Sequence, residues 1–298
     1  MHSTTILEFP SNLGLKEPSP GHEPGVRKLP PWLAQHGFHT RLNPASVIRL
    51  EPPPYSTKLD NESGVRNATE IINYAKQQAS LLEKVMRSGS FPLVIGGDCS
   101  ILIGNALALK KTGKYALFFL DGHHDFMLPA LSQTGGAAGM DTAIVTGHGH
   151  EKLTNIDGFK PYFKEENVWC VGNREYYPPY VESILQSSIH YIDLGELRRQ
   201  GTKQCAESFL NMVEEKQLDG FWIHIDADVL DDELMPAVDS RTPGGITYEE
   251  LDDLLQPLLR SVKAGGLGIT IIDPELDPDG KYTTQFVERF CKTFNASR

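Results

Sequence analysis

The sequence predicts a parallel β-sheet covered by helices on both faces, and three observations predict it. Short apolar runs of strand length alternate strictly with longer stretches of helical periodicity, which is the pattern of a buried parallel sheet. The polar, metal-capable clusters all fall where those apolar runs end, the edge at which such sheets gather their ligands. The length of 298 residues, with 40% hydrophobic and 22% charged side chains, supports one large core.

In order, Thr4 to Phe9 reads as a strand, and Pro10 to Pro31 as an irregular stretch too rich in proline for one regular element. A second loop, EPPPYSTKLDNES, leads into a helix from about Asn67 to Met86. FPLVIGG (91–97), YALFFLD (115–121), NVWCVG (167–172), IHYID (189–193), GFWIHIDADV (220–229) and LGITIID (267–273) read as strands. Helices are expected at 100–111, 140–147, 179–187, about 203–217, 247–263 and about 283–294. No internal repeat or compositional break divides the chain, so residues 1–298 are read as a single domain.

The formal net charge is −11, which disfavours nucleic acid and is compatible with a cationic ligand. The four cysteines (Cys99, Cys170, Cys205, Cys291) are too scattered for a disulfide framework. No apolar run is long enough to span a membrane and the first residues do not resemble a signal sequence. The expectation is therefore a cytoplasmic protein with no membrane partner.

Four segments carry the chemistry: IGGDCS (95–100), LDGHHDF (120–126), IHIDADVLDD (223–232) and IIDPELDP (271–278). If the second and third continue their strands, Asp121, His123 and Asp125 share one side, as do His224, Asp226 and Asp228. Carboxylates and imidazoles so gathered repel unless cations lie between them, and that donor set suits Mn²⁺, with Zn²⁺, Ni²⁺ or Fe²⁺ as options. Asp98, Asp231 and Asp232 read more simply as caps of the turns that follow. There is no P-loop and no GxSxG elbow, so neither nucleotide nor serine hydrolysis is indicated.

The ordered motifs resemble those of the ureohydrolase family, which includes arginase, agmatinase and formimidoylglutamase. EPGVRKLPPWLAQHGF (23–38), IGGDCS, DGHHD, IDADVLDD, PAVDSRTPGGITYEEL (236–251) and PELDP (274–278) carry the likeness along nearly the whole chain. The resemblance implies a three-layer αβα fold and a dinuclear hydrolase that attacks a C–N bond of a small guanidino or formimino compound with a metal-bridging hydroxide. It implies Asp121 and Asp226 as bridges between two Mn²⁺ ions, Asp125 and Cys99 completing one, and His123 and Asp228 the other. Asp125 would also hold the hydroxide, Glu275 would pair with the cationic end of the substrate, and the chain would assemble as a trimer or hexamer.

Three departures from the family pattern stand out. Cys99 replaces the usual histidine, and a thiolate tilts the preference toward Zn²⁺. It is either a ligand in a variant site, a small buried residue beside a weakened ion, or the mark of a degenerate member that serves as a binding or regulatory protein. Ala138 stands where arginases carry a proton-shuttling histidine, so the leaving group needs another acid or is itself easier to expel, as in a hydroxylated guanidine. His224 is the candidate surrogate acid; the competing view makes it a hydrogen-bonding support for a carboxylate. Glu175 and Tyr177 occupy the stretch where arginase holds the substrate's amino group. Arg174 reads as a carboxylate binder or a buried structural ion, His124 as structural, and His148 and His150 as loop residues near the pocket.

Overall fold

The structure is a computed structural model that describes residues 3–298. Eight strands form one sheet in the order β2-β1-β3-β8-β7-β4-β5-β6: β1 Thr4–Glu8, β2 Ser46–Arg49, β3 Phe91–Ile95, β4 Tyr115–Leu120, β5 Val168–Val171, β6 His190–Ile192, β7 Gly220–Asp226 and β8 Ala264–Thr270. Every neighbouring pair runs parallel. The expected parallel αβα architecture is the observed one.

Side chains alternate between the two faces along each strand. Ala116, Phe118 and Leu120 of β4 join one apolar cluster, while Leu117 and Phe119 join the other. Likewise Phe221, Ile223 and Ile225 of β7 face the first cluster and Trp222 the second. Helices Thr202–Glu215, Tyr248–Arg260 and Lys281–Ser297 cover the first face; Ala68–Arg87, Leu102–Thr112 and Asp141–Val145 cover the second. Both faces are dry, so the central strands β3, β4 and β7 are apolar or buried throughout.

Several elements escaped the sequence pattern, among them β2 and two short helices. β2 is the polar segment SVIR at the sheet edge, mostly exposed, so it carries no apolar signature. Helix Leu29–Gln35 begins inside the proline-dense stretch; its prolines sit in the first turn, where the missing N–H costs no hydrogen bond. Helix Leu194–Gln200 is started by Asp193, whose Oδ1 accepts from Glu196 N at 2.8 Å.

The chain passes from β3 on one half of the sheet to β4 on the other, with β8 and β7 between them. The segments leaving β3, β4, β7 and β8 therefore meet at the carboxyl edge over the middle of the sheet, where a crevice opens.

Candidate metal centre and catalytic cavity

A cavity of about 350 Å³ opens at that edge, with Cys99, His123, Asp125, Asp226 and Asp228 among its lining residues. Each comes from a different kind of local structure. Cys99 opens the 3-10 turn Cys99–Ile101 just after β3, and Asp98 caps that turn by accepting from Ser100 N at 2.9 Å. Asp226 is the last residue of β7 and caps the turn Ala227–Val229, accepting from Asp228 N at 2.9 Å.

Here the strand-side expectation is corrected. β4 ends at Leu120 and β7 at Asp226, so Asp121, His123, Asp125 and Asp228 lie in loop and turn, not on extended strand. They converge because the backbone bends back at once. Asp121 Oδ1 accepts from His123 N at 2.6 Å, and Asp228 Oδ1 accepts from Gly122 N at 2.8 Å. Asp125 adopts a positive φ of 46°, a conformation that costs a non-glycine residue about 1 kcal/mol or more. Strain of that kind persists where the surroundings fix it, and here it turns Asp125 toward the cavity.

Two donor clusters result. Donor atoms of Cys99, Asp121 and Asp125 lie within 4.8 Å of one another, as do those of Asp121, His123 and Asp228. Asp121 belongs to both. Asp226 joins through Cys99, whose Sγ lies 2.6 Å from its Oδ2. His123 Nδ1 is 2.8 Å from Asp228 Oδ2 and 3.6 Å from Asp121 Oδ1.

The electrostatics without a cation are unfavourable. Burial and the neighbouring carboxylates push Asp121, Asp125 and Asp226 well above the carboxylate range. Burial also raises the Cys99 thiol, reinforced by Asp226 and Asp141. Burial opposes the charge of His123, yet Asp228 outweighs it and raises the imidazole to about 10. The same pair, helped by Gly122 N–H and Arg174, holds Asp228 at about 2 against its own burial. Asp121 Oδ2 is buried with no hydrogen-bond partner among the described residues. A carboxylate-rich set with one imidazole, one thiol and an orphaned oxygen fits divalent cations, whose charge would bring down the raised pKa values and favour the deprotonated form of every donor.

The Arginase family matches residues 23–295 of this sequence. The chain belongs to the arginase family. It is 32% identical to an arginase of Brevibacillus brevis over 219 residues, covering 73% of this chain and 72% of that protein. It is 27% identical to an arginase of Staphylococcus aureus over 247 residues, covering 83% and 81%. The arginase structure from Bacillus caldovelox superposes with a TM-score of 0.87 over 99% of this chain and 98% of that one, at 26% identity. Membership makes this arginase-family chain an enzyme of the ureohydrolase type.

The structure places two of the expected site residues away from the cavity lining. Glu275 of the arginase-family chain does not line the cavity; its carboxylate is held by Lys28 Nζ at 2.5 Å and His22 Nε2 at 2.6 Å on the outer surface. His224 does not line it either. The ring is fully buried, stacked on Phe119 at 4.8 Å between centroids, and burial lowers its pKa to about 3, which disfavours the imidazolium form that a general acid needs. Its Nε2 lies 3.3 Å from Thr270 Oγ1, and among the described residues the ring makes no hydrogen bond to a carboxylate.

The remaining candidates resolve into local roles. Arg174 is buried and donates to Thr242 O and Asp228 O, so it ties loops together and is not free for a substrate carboxylate. His124 is buried beside Glu175, 3.1 Å from its Oε2, and accepts from Phe126 N. His148 pairs with Glu165, and His150 caps the helix Glu151–Thr154. Asp231 caps its own turn through Glu233 N, and Asp232 pairs with Arg241. Tyr177 is exposed, whereas Glu175 and Tyr180 line the cavity wall. Ala138 lines the cavity beside Cys99, where it offers no proton.

Sequence reading missed two acids. Asp239 stands in the cavity lining beside Ser240, in a segment whose acids carried no spacing signal. Asp141 is fully buried, and nothing in GMDT distinguishes it from an ordinary first-turn acid of a helix. The four cysteines are free and buried, and no helix of the described residues is long and apolar enough to cross a membrane.

Proposed function

We propose that the chain hydrolyses a C–N bond of a small guanidino or formimino compound at a site that holds two divalent cations. The observation that carries this reading is the pair of donor clusters sharing the buried Asp121, whose other members Cys99, His123, Asp125 and Asp228 line the cavity. In this reading Asp121, shared by both clusters, and Asp226 would hold both ions, Cys99 and Asp125 one of them, and His123 and Asp228 the other. When bound, the cations would activate a water for attack on the central carbon of the substrate. Mn²⁺ suits the carboxylates and Zn²⁺ the Cys99 thiolate.

The chain's own residues supply the rest. Glu175 and Asp239 make the cavity acidic and orient a cationic substrate with its positive group toward the floor. Asp125 lines the cavity and belongs to one donor cluster, so in this reading it takes the proton of the attacking water and returns it to the departing amine. With Ala138 giving no second proton donor, substrates with an easier leaving amine, hydroxylated guanidines among them, are turned over best.

The test is metal content of protein purified without chelator, followed by urea and ammonia release over a panel of guanidino and formimino compounds. Two ions per chain with turnover of a panel member is the expected result. Fewer than two ions together with no turnover would return the chain to the binding-protein reading.

A further inference from the structure

Behind the cavity floor lies a third group of donors. Cys99, Asp141 and His224 each present one donor atom, all within 4.8 Å of one another, and all three residues are at least 99% buried. They come from three elements: the turn after β3, the start of the helix Asp141–Val145, and β7. We propose that these three side chains form a separate binding site for a thiophilic divalent cation of the zinc type.

Two orphaned atoms point to a ligand. His224 Nδ1 and Asp141 Oδ2 are buried and have no hydrogen-bond partner among the described residues. Leaving such groups bare costs about 1–3 kcal/mol each, and a buried pair beside one thiol is a costly arrangement to keep without an occupant. The ring of His224 is held in place by stacking on Phe119, at 7° between planes, and by Thr270 Oγ1 at 3.3 Å. That same hydroxyl lies 3.2 Å from Cys99 Sγ, so Thr270 fixes imidazole and sulfur relative to each other.

The chemistry selects the ion. One thiolate, one carboxylate and one neutral imidazole bear a charge of −2, which a divalent cation neutralises in a dry interior. Sulfur with nitrogen favours zinc over manganese or magnesium. Cys99 also lines the cavity, so it stands at the passage between solvent and the buried position. The site shares Cys99 with the dinuclear centre proposed above and otherwise uses different residues, so it does not depend on that reading.

Crystals of the wild-type chain soaked in zinc alone, with anomalous data collected at the zinc edge, provide the test. The expected result is a peak at bonding distance, roughly 2.0–2.3 Å, from Cys99, Asp141 and His224. In solution, His224→Gln and Asp141→Asn should each lose one zinc equivalent while Asp228→Asn does not remove that equivalent. Peaks confined to the space between Asp121, His123 and Asp228, or no peak at all, overturn the proposal. A peak at the buried triad with none in the cavity keeps it and rejects the dinuclear reading instead. If the buried variants fail to fold, the wild-type map decides alone.

Discussion

Cys99 Sγ lies 2.6 Å from Asp226 Oδ2, and Asp226 Oδ1 accepts from Asp228 N, so the sulfur of one donor cluster is tied through one carboxylate to the turn that carries a donor of the other. Without a cation the thiol stays protonated, since burial and Asp226 both raise it. Cys99→His should keep the ions and shift the preference from zinc toward manganese by about tenfold, roughly 1.4 kcal/mol. Competition between the two metals, read by metal analysis after dialysis, checks this. Loss of both ions in that variant would show that the cavity floor has no room for an imidazole.

The buried carboxylates give function and stability opposite signs. Asp121→Asn and Asp226→Asn each remove one member of a mutually repelling set. Both variants should lose turnover by at least a hundredfold, yet the metal-free protein should gain about 1 kcal/mol or more in stability. Thermal unfolding in chelator, beside a turnover assay, separates the two effects. A metal-free variant less stable than the parent would mean these acids serve folding directly.

The pH dependence of the metal-free protein follows from the same groups. Asp121, Asp125 and Asp226 have raised pKa values in the folded state, so their contribution is full below the unfolded carboxylate pKa and is lost as pH rises through the folded values. His123, raised to about 10, likewise contributes fully below about 6.5 and loses that contribution as pH climbs toward 10. Buried His224, lowered to about 3, works the other way, but its effect is complete above about 6.5. Between pH 7 and 9 the metal-free melting temperature should therefore fall, while that of the metal-loaded protein stays nearly flat. Parallel curves in the two states would contradict the assignment of these residues to cation binding.

Glu275 gives a test in which geometry and resemblance disagree. Its carboxylate is outside the cavity in an exposed pair with Lys28 and His22. Glu275→Ala should leave kcat/KM within about twofold and cost less than about 1 kcal/mol of stability. A large rise in KM would instead place this side chain on the substrate.

Glu175 and Asp239 should act on binding alone. Glu175→Gln and Asp239→Asn are expected to raise KM for a cationic substrate by several-fold to about tenfold with kcat and metal content unchanged, the signature of lost uniform binding. Steady-state kinetics with metal analysis checks it, and a fall in kcat at constant KM would move either residue to the chemical step.

Much of the fold was legible because the buried strands announce themselves. YALFFL and GFWIHID are apolar for the physical reason that both faces of the sheet are dry. β2 was not, since an exposed edge strand needs no apolar pattern. At the site, the residue types of Asp121, His123 and Asp125 were readable, but not their geometry, because their convergence comes from a loop and a positive φ and not from strand alternation. Asp141 was invisible for a different reason. Its surroundings are set by the packing of distant elements, and its immediate sequence describes only a helix start. For Glu275 the motif records which residue stands at the position and not which way its carboxylate leans, here toward Lys28 and His22.

Arg174 joins two parts of the molecule that do different work. Its guanidinium grips the backbone oxygen of Asp228, in the turn that presents a metal donor, and that of Thr242, in the loop that follows Asp239 and Ser240 on the cavity wall. The cavity wall at Asp239 and Ser240 and the turn that carries Asp228 are thus braced by one side chain. Any remodelling of that wall toward a larger or differently shaped guest pulls on the metal donors as well, so new specificity in this scaffold has to be accompanied by retuned metal affinity.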